Sequence, residues 1–112
     1  MKSCLVVDDS KVVRSVARKI LEGLEFAVEE AADGQEALDL LAEADQASTA
    51  RQPFGILIAE LHLPRVEGMD LLKRVRKHHP SVVPIIVTGF GKIESAVEAV
   101  KLGAADYLTK PL

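Results

Sequence analysis

Short apolar segments that favour β-strands alternate with segments of helical periodicity along the whole 112-residue chain. The strand-like segments cover residues 4–7, 26–28, 54–59, 83–87 and 107–108. Such alternation predicts an α/β fold, in which a parallel sheet carries helices on both of its faces. Near-continuous apolar runs such as FGILIA and PIIVTG agree with strands that are buried on both sides.

The four segments between the strands are predicted to be amphipathic helices. Ser10 is a candidate N-cap of the first, and Asp33 with Glu36 forms a capping-box pattern at the start of the second. Pro80 and Gly103 mark the ends of the third and fourth. The side chains expected to face the sheet are Val13, Val16, Ala17, Ile20, Leu21 and Leu24, then Leu71, Leu72 and Val75, then Ile93, Ala96, Val97 and Val100.

The composition fits one soluble globular domain. Apolar residues make up 48% of the chain, charged residues 28%, and the net charge is −3. This mildly acidic balance gives no reason to expect binding to nucleic acid or to an anionic membrane, and the short basic run KRVRKHH reads as a solvated helix face. No apolar run approaches the roughly 20 residues of a membrane span, so a cytoplasmic protein is expected. Cys4 is the only cysteine, which excludes an intrachain disulfide.

Chemically active side chains follow the predicted strands at the points where these end. The first strand is followed by Asp8 and Asp9, the third by Glu60, and the fifth by Lys110, while Thr88 closes the fourth. Ligands of open parallel sheets bind beyond the carboxyl ends of the strands, so these groups are expected to converge. Carboxylate oxygens suit Mg²⁺, and a hydroxyl and an ammonium opposite the metal would hold the oxygens of a phosphoryl group.

Four motifs surround these residues, namely LVVDDS, LPRVEG, VTGFG and DYLTKP, in this order along the chain. The set resembles the receiver domain of two-component response regulators, and the resemblance covers the whole chain. The second half, TGFGKIESAVEAVKLGAADYLTKP, resembles receivers of nitrogen-regulation-type activators. The resemblance implies one receiver domain over residues 1–112, with a flavodoxin-like, doubly wound, five-stranded parallel sheet of strand order 2-1-3-4-5. A receiver is a signalling module rather than an enzyme.

The resemblance also implies a role for each candidate site residue. It assigns Asp8, Asp9, Glu60 and the backbone carbonyl of His62 to a Mg²⁺ site, Thr88 and Tyr107 to the switch, and Lys110 to phosphate binding ahead of a cis Pro111.

Two features depart from the family pattern. The phosphoacceptor position, four residues before Pro64, holds Glu60 where an aspartate is expected. The extra methylene shifts the carboxylate by about 1.5 Å, one C–C bond, toward Lys110 and Thr88. Three interpretations remain open: a phosphomimetic site that favours the signalling state, an inert pocket, or residual phosphorylation here or on a neighbour. We also expect the family's fifth helix and an effector domain to be absent, and one face of the last strand to be uncovered.

The expected partners of such a module are a histidine kinase, an effector domain, or a second receiver bound through the fourth helix and fifth strand. Two other functions compete with this interpretation. A flavodoxin-like cofactor binder would need a phosphate-cradling loop, but the turn DDSKVV after the first strand is acidic and has no glycine. A Mg²⁺-dependent phosphatase would use Asp8 as nucleophile and Asp9 as acid, but the chain is too short to add a substrate-covering cap.

Overall fold

A computed structural model describes residues 2–45, 53–89 and 91–111, and within them the predicted alternation of strands and helices is confirmed. The strands are β1 (Lys2–Val7), β2 (Phe26–Ala31), β3 (Ile56–Ala59), β4 (Val83–Thr88) and β5 (Asp106–Thr109), and the helices are α1 (Lys11–Gly23), α2 (Gly34–Ala44), α3 (Gly68–His78) and α4 (Ile93–Lys101). All neighbouring strands are parallel, in the order β2-β1-β3-β4-β5, as the resemblance implied. Residues 46–52, most of the polar stretch EADQASTARQP that precedes β3, lie outside the described residues.

The predicted capping residues start the first two helices. The Ser10 hydroxyl accepts a hydrogen bond from the Val13 N–H at 3.3 Å, and the Asp33 carboxylate accepts one from the Glu36 N–H at 2.8 Å. The Glu36 carboxylate reaches back one residue further than a capping box requires and accepts from the Ala32 N–H at 3.2 Å. These bonds satisfy donors that a helix start would otherwise leave unpaired.

The sheet separates two apolar layers because successive strand residues point to opposite faces. Leu5 and Val7 face the larger layer, where they pack with residues of α2 and α3 such as Leu41 and Leu71. The smaller layer, on the side of α1, contains Cys4, Val6, Ala17, Leu21 and Val28. Burial raises the pKa of the Cys4 thiol to about 12, so this cysteine is an inert core residue.

The predicted inward stripe of α4 is wrong. Ile93, Val97 and Val100 are 82%, 48% and 59% exposed, and the buried residue of the helix is Ala99, with Ala96 half-buried. Periodicity identified an apolar stripe but not the side that meets the sheet, and the small Ala99 allows the closest approach to it. The same correction applies to part of α1, since Val16, Ile20 and Leu24 are exposed while Ala17 and Leu21 are buried.

One face of the sheet near β5 is open. Leu108 is 42% exposed, and a shallow apolar cavity of about 130 Å³ lies between α1 and the side chains of Ile58, Ile85 and Val87. Within the described residues no helix is both long and apolar enough to span a membrane.

Candidate functional site

Three polar side chains are buried together at the carboxyl edge of the sheet. Asp8, Glu60 and Thr88 are only 3%, 4% and 0% exposed. The parallel ladder fixes their positions, because the Glu60 N–H donates to the Val7 carbonyl at 2.9 Å, one residue beyond β3. Lys110 is fixed similarly, since its N–H donates to the Thr88 carbonyl at 2.9 Å. The predicted convergence at this edge is therefore present.

Lys110 supplies the positive charge of this cluster. Its Nζ lies 2.8 Å from Asp8 Oδ2 and 3.4 Å from Glu60 Oε2, so two buried carboxylates share one ammonium. Burial alone would lower the pKa of Lys110, but the hydrogen bond and charge of Asp8, followed by the charge of Glu60, raise it above its ordinary value. Lys110 is therefore a fixed cation at neutral pH. The peptide bond to Pro111 is cis, as the resemblance implied.

Glu60 is held from a second side by the switch hydroxyl. Thr88 Oγ1 donates to Glu60 Oε1 at 3.2 Å, in a fully buried contact. The other oxygen, Oε2, is buried without a hydrogen-bond partner among the described residues, although it faces the Lys110 ammonium. A buried carboxylate oxygen that accepts no hydrogen bond can accept one more ligand.

A polar network behind Asp8 was missed by sequence reasoning. The Arg14 guanidinium donates to the Asp8 carbonyl at 2.6 Å and to Glu30 Oε1 at 3.1 Å, while Arg18 donates to Glu30 Oε2 at 2.7 Å. The Arg18 hydrogen bond, followed by that of Arg14, lowers the pKa of Glu30 despite partial burial. The i, i+4 arginines were a visible signal, but their carboxylate partner lies on β2 and only the fold reveals it.

The remaining candidates lie outside this buried cluster of Asp8, Glu60, Thr88 and Lys110. Asp9 is exposed, and the His62 side chain is 55% exposed, with Nδ1 3.9 Å from the Glu67 carboxylate. Tyr107 is half-buried, and its hydroxyl lies buried without a hydrogen-bond partner among the described residues. Asp9 is thus placed at the mouth of the site, whereas the Tyr107 ring packs against the larger apolar layer.

The donor set fits a hard cation in kind. Glu60 Oε2 accepts no hydrogen bond from any residue that the structure describes, and Asp8 and Asp9 lie at the end of the neighbouring strand β1. Both Asp8 oxygens, however, already have partners, Ser10 N–H at 2.8 Å and Lys110 Nζ at 2.8 Å. Across the part of the chain that is described, no three acidic, histidine or cysteine side chains are grouped closely enough to hold a metal. A cation would therefore compete with Lys110 for Asp8.

A family model for the response regulator receiver domain matches residues 4–112. The chain belongs to this family. The receiver domain is 31% identical to the response regulator protein PilR of Pseudomonas aeruginosa over 99% of this chain and 23% of that protein. It is 33% identical to the DNA-binding transcriptional regulator NtrC of Klebsiella pneumoniae over 95% of this chain and 21% of that protein. The receiver domain thus spans less than a quarter of the length of these two relatives.

Solved receivers share the fold closely. The solution structure of the beryllofluoride-activated NtrC4 receiver domain dimer matches with a TM-score of 0.87 and 29% identity, over 100% of this chain and 86% of that one. A response regulator from Burkholderia pseudomallei, crystallised with a phosphorylated aspartic acid, calcium and citrate, matches with a TM-score of 0.84 and 33% identity, over 100% of this chain and 61% of that one. Receiver domains of this family are modules of signal transduction, and the family assignment lends no support to the cofactor-binding or phosphatase alternatives.

Proposed function

We propose that this receiver domain is a two-component signalling module whose switch is held by Glu60 instead of by a phosphoryl group. The observation that carries the proposal is the position of the Glu60 carboxylate, which accepts from Thr88 at 3.2 Å and faces Lys110 at 3.4 Å. A hydroxyl and an ammonium are the groups expected to hold phosphoryl oxygens at this edge of the sheet. The side chain of Glu60 thus interacts with the Thr88 hydroxyl and the Lys110 ammonium without being phosphorylated.

The state of Tyr107 supports an engaged switch. Its hydroxyl is buried, beside the end of the β4–α4 connection, where a Cβ added to Gly91 would lie 3.8 Å from the phenolic oxygen. The Tyr107 ring packs against the larger apolar layer from β5, the neighbour of strand β4 that ends in Thr88. We infer that Glu60, Thr88 and Tyr107 form one coupled unit.

The mimicry is incomplete in charge. A carboxylate carries one negative charge, whereas a phosphoryl group carries about −1.5 to −2 and offers three acceptor oxygens. Mg²⁺, when bound, would be held by Asp8, Asp9, Glu60 and the His62 carbonyl, and it would offset the negative charge of the carboxylates. Because the Lys110 ammonium already occupies one Asp8 oxygen, we expect Mg²⁺ to displace Lys110 from Asp8 when it binds.

An NMR comparison tests the proposal directly. We expect the amide resonances of α4 and β5 in the unsubstituted chain to resemble those of phosphorylated Glu60→Asp rather than those of the unphosphorylated variant. Glu60→Gln keeps the side-chain length without the charge, so it serves as the matched control and should give the unphosphorylated pattern. An unsubstituted chain that matches unphosphorylated Glu60→Asp would instead establish an inert pocket.

The output surface of the module is the α4–β5 face. Ile93, Val97 and Val100 project from α4 into solvent, which is unusual for large aliphatic side chains on a monomer surface. We propose that this face binds a second receiver or an attached output domain, and that a histidine kinase is the upstream partner in relatives that retain the aspartate. The dimeric NtrC4 receiver supports association between receivers of this type.

Val97→Glu is expected to weaken self-association through this face. Burying a new carboxylate in the contact would raise the dimer dissociation constant at least about tenfold, equivalent to roughly 1.4 kcal/mol. Analytical ultracentrifugation over a concentration series measures this change. Val12→Glu on α1, also at an exposed valine, is the matched control and should leave the constant unchanged. Equal effects of both substitutions, or a monomer at every concentration, would contradict a dimer on the α4–β5 face.

A further inference from the structure

The loop that carries Glu60 is closed at its base by a glycine. This segment, residues 60–67, is called the acceptor loop, and its side chains Leu61 and Leu63 are buried in the larger apolar layer. The Gly68 N–H donates to the Leu61 carbonyl at 2.8 Å. A Cβ on Gly68 would lie 2.7 Å from Leu61 Cα and closer still to the Glu60 carbonyl oxygen, so only glycine fits there. The base of the loop is therefore rigidly joined to the backbone of Glu60.

The tip of the acceptor loop rests on the N-terminus of α2. The Pro64 carbonyl accepts from the Gly34 N–H at 3.3 Å and from the Val66 N–H at 2.8 Å. Arg65, whose φ of 66° is rare for a residue with a side chain, donates from Nη2 to Asp33 Oδ1 at 3.1 Å. The Asp33 carboxylate, the N-cap of α2, thus accepts hydrogen bonds from both the helix and the acceptor loop.

Gly34 allows this contact because it has no side chain. An added Cβ would lie 2.6 Å from Val66 Cβ, and nearer still to the Val66 carbonyl oxygen. Cβ atoms essentially never approach other atoms below 3.0 Å, so Val66 Cβ would have to retreat by about 0.4 Å and its carbonyl oxygen by more. Gly34 is not needed for backbone conformation, since it is the first residue of a regular helix. The close approach of Val66 is the reason that position 34 holds a glycine.

We propose that Gly34 is a positioning residue for Glu60, acting through the acceptor loop. The loop is short, its two leucines are locked in the core, and its base contacts the Glu60 carbonyl through Gly68. A close-packed segment of this kind transmits a displacement of its tip to its base. The N-terminus of α2 thereby sets the distance between the carboxylate at position 60 and the groups of Thr88 and Lys110. This inference rests on the proposed function, because that function gives the distance its importance.

The test compares two glycine-to-alanine substitutions. Gly34→Ala should displace the acceptor loop, whereas Gly23→Ala, where an added Cβ meets nothing within 4 Å, is the matched control. The first measurement is the amide shifts of Thr88 and Lys110, which contact Glu60 but belong to β4 and the end of β5. A purely local role of Gly34 in α2 would leave them unchanged. We expect Gly34→Ala to move them and Gly23→Ala to leave them in place.

The second measurement is the rate of phosphorylation by a small-molecule phosphodonor in a Glu60→Asp background with Mg²⁺. Because a misplacement of 1 Å can cost about 10²-fold in rate, the smaller shift here should slow phosphorylation about tenfold. Arg65→Asn removes the contact to Asp33, and asparagine tolerates a positive φ. This substitution should slow phosphorylation roughly threefold, which is half of the tenfold effect on a logarithmic scale. This variant keeps the inference testable when Gly34→Ala does not fold.

The outcomes separate the inference from the proposed function. Unchanged Thr88 and Lys110 shifts in folded Gly34→Ala, or unchanged shifts in Arg65→Asn when Gly34→Ala does not fold, would overturn the positioning role. If the Glu60→Asp chain accepts no phosphoryl group, the proposed role of Glu60 is overturned. The amide shifts of Thr88 and Lys110, measured with Glu60 in place, would still test the positioning role of Gly34. Shifted Thr88 and Lys110 amide resonances together with slower phosphorylation would support both the positioning role of Gly34 and the proposed function.

Discussion

Glu60→Asp is expected to raise the rate at which the chain takes up a phosphoryl group by at least about 100-fold. An acyl phosphate forms only when the carboxylate lies in line with a phosphorus held by the surrounding groups. In the present structure the Glu60 carboxylate already contacts Thr88 and faces Lys110, so it occupies volume that those groups would offer to phosphate. Shortening the side chain by one methylene frees that volume. Intact mass after incubation with Mg²⁺ and a small-molecule phosphodonor measures the gain.

The control for this prediction is Glu67→Asp. It makes the same change on an exposed glutamate of the acceptor loop, with a side chain 63% exposed, and should remain unmodified. Equal phosphorylation of the unsubstituted chain would show that the geometric argument about Glu60 is wrong and would require the modified residue to be mapped. If neither the unsubstituted chain nor Glu60→Asp takes up a phosphoryl group, the side chain at position 60 is not what blocks phosphorylation.

Lys110→Met should lower the free energy of unfolding by about 2 kcal/mol at neutral pH. Removing one partner of a buried ion pair typically costs about 3–5 kcal/mol, and the smaller figure allows for water around Lys110, whose side chain is 21% exposed. The cost arises because Asp8 and Glu60 would be left as two buried carboxylates without a counter-charge. Denaturant unfolding followed by circular dichroism measures it. Lys77→Met on the exposed surface of α3 removes the same charge and should change stability by less than about 0.5 kcal/mol.

The pH dependence of this pair has a defined sign. The folded-state pKa of Lys110 lies above the ordinary value of 10.5, so its stabilisation is fully present below that pH and is lost as the pH rises through the folded-state pKa. The difference between the unsubstituted chain and Lys110→Met should therefore be constant from neutral pH to about pH 9 and narrow only in strong alkali. A difference that already vanishes near pH 8 would show that the ammonium is not what stabilises the carboxylates.

The order of elements and the residues at the strand ends were readable from the sequence because both are local patterns. Apolar runs and helical stripes identified the strands and helices, and Asp8, Glu60, Thr88 and Lys110 follow from reading where the strands end. The end of β2 was harder to predict from the sequence. Its predicted end at residue 28 became Ala31, because Glu30 remains in this edge strand through its bonds to Arg14 and Arg18.

Three-dimensional pairing accounts for what the sequence did not predict. The outward orientation of Val97 depends on which side of α4 meets the sheet, and helical periodicity does not define that side. The contact of Gly34 with Val66 joins residues 32 positions apart, and a glycine at the start of a helix gives no sign of such a neighbour. Local chemistry was thus visible in the sequence, whereas contacts between distant segments were not.

The hydrogen bond from Glu60 to Val7 constrains how such a site can evolve. Residue 60 faces the pocket because it continues the ladder of β3 against β1, and side chains alternate between the faces of a strand. A single-residue insertion or deletion within β3 would exchange those faces, sending the carboxylate into the apolar layer and an alanine or leucine into the pocket. Point substitution at position 60 leaves the ladder intact. Exchange between aspartate and glutamate at position 60 therefore preserves where the carboxylate leaves the strand, whereas a change in the length of β3 does not.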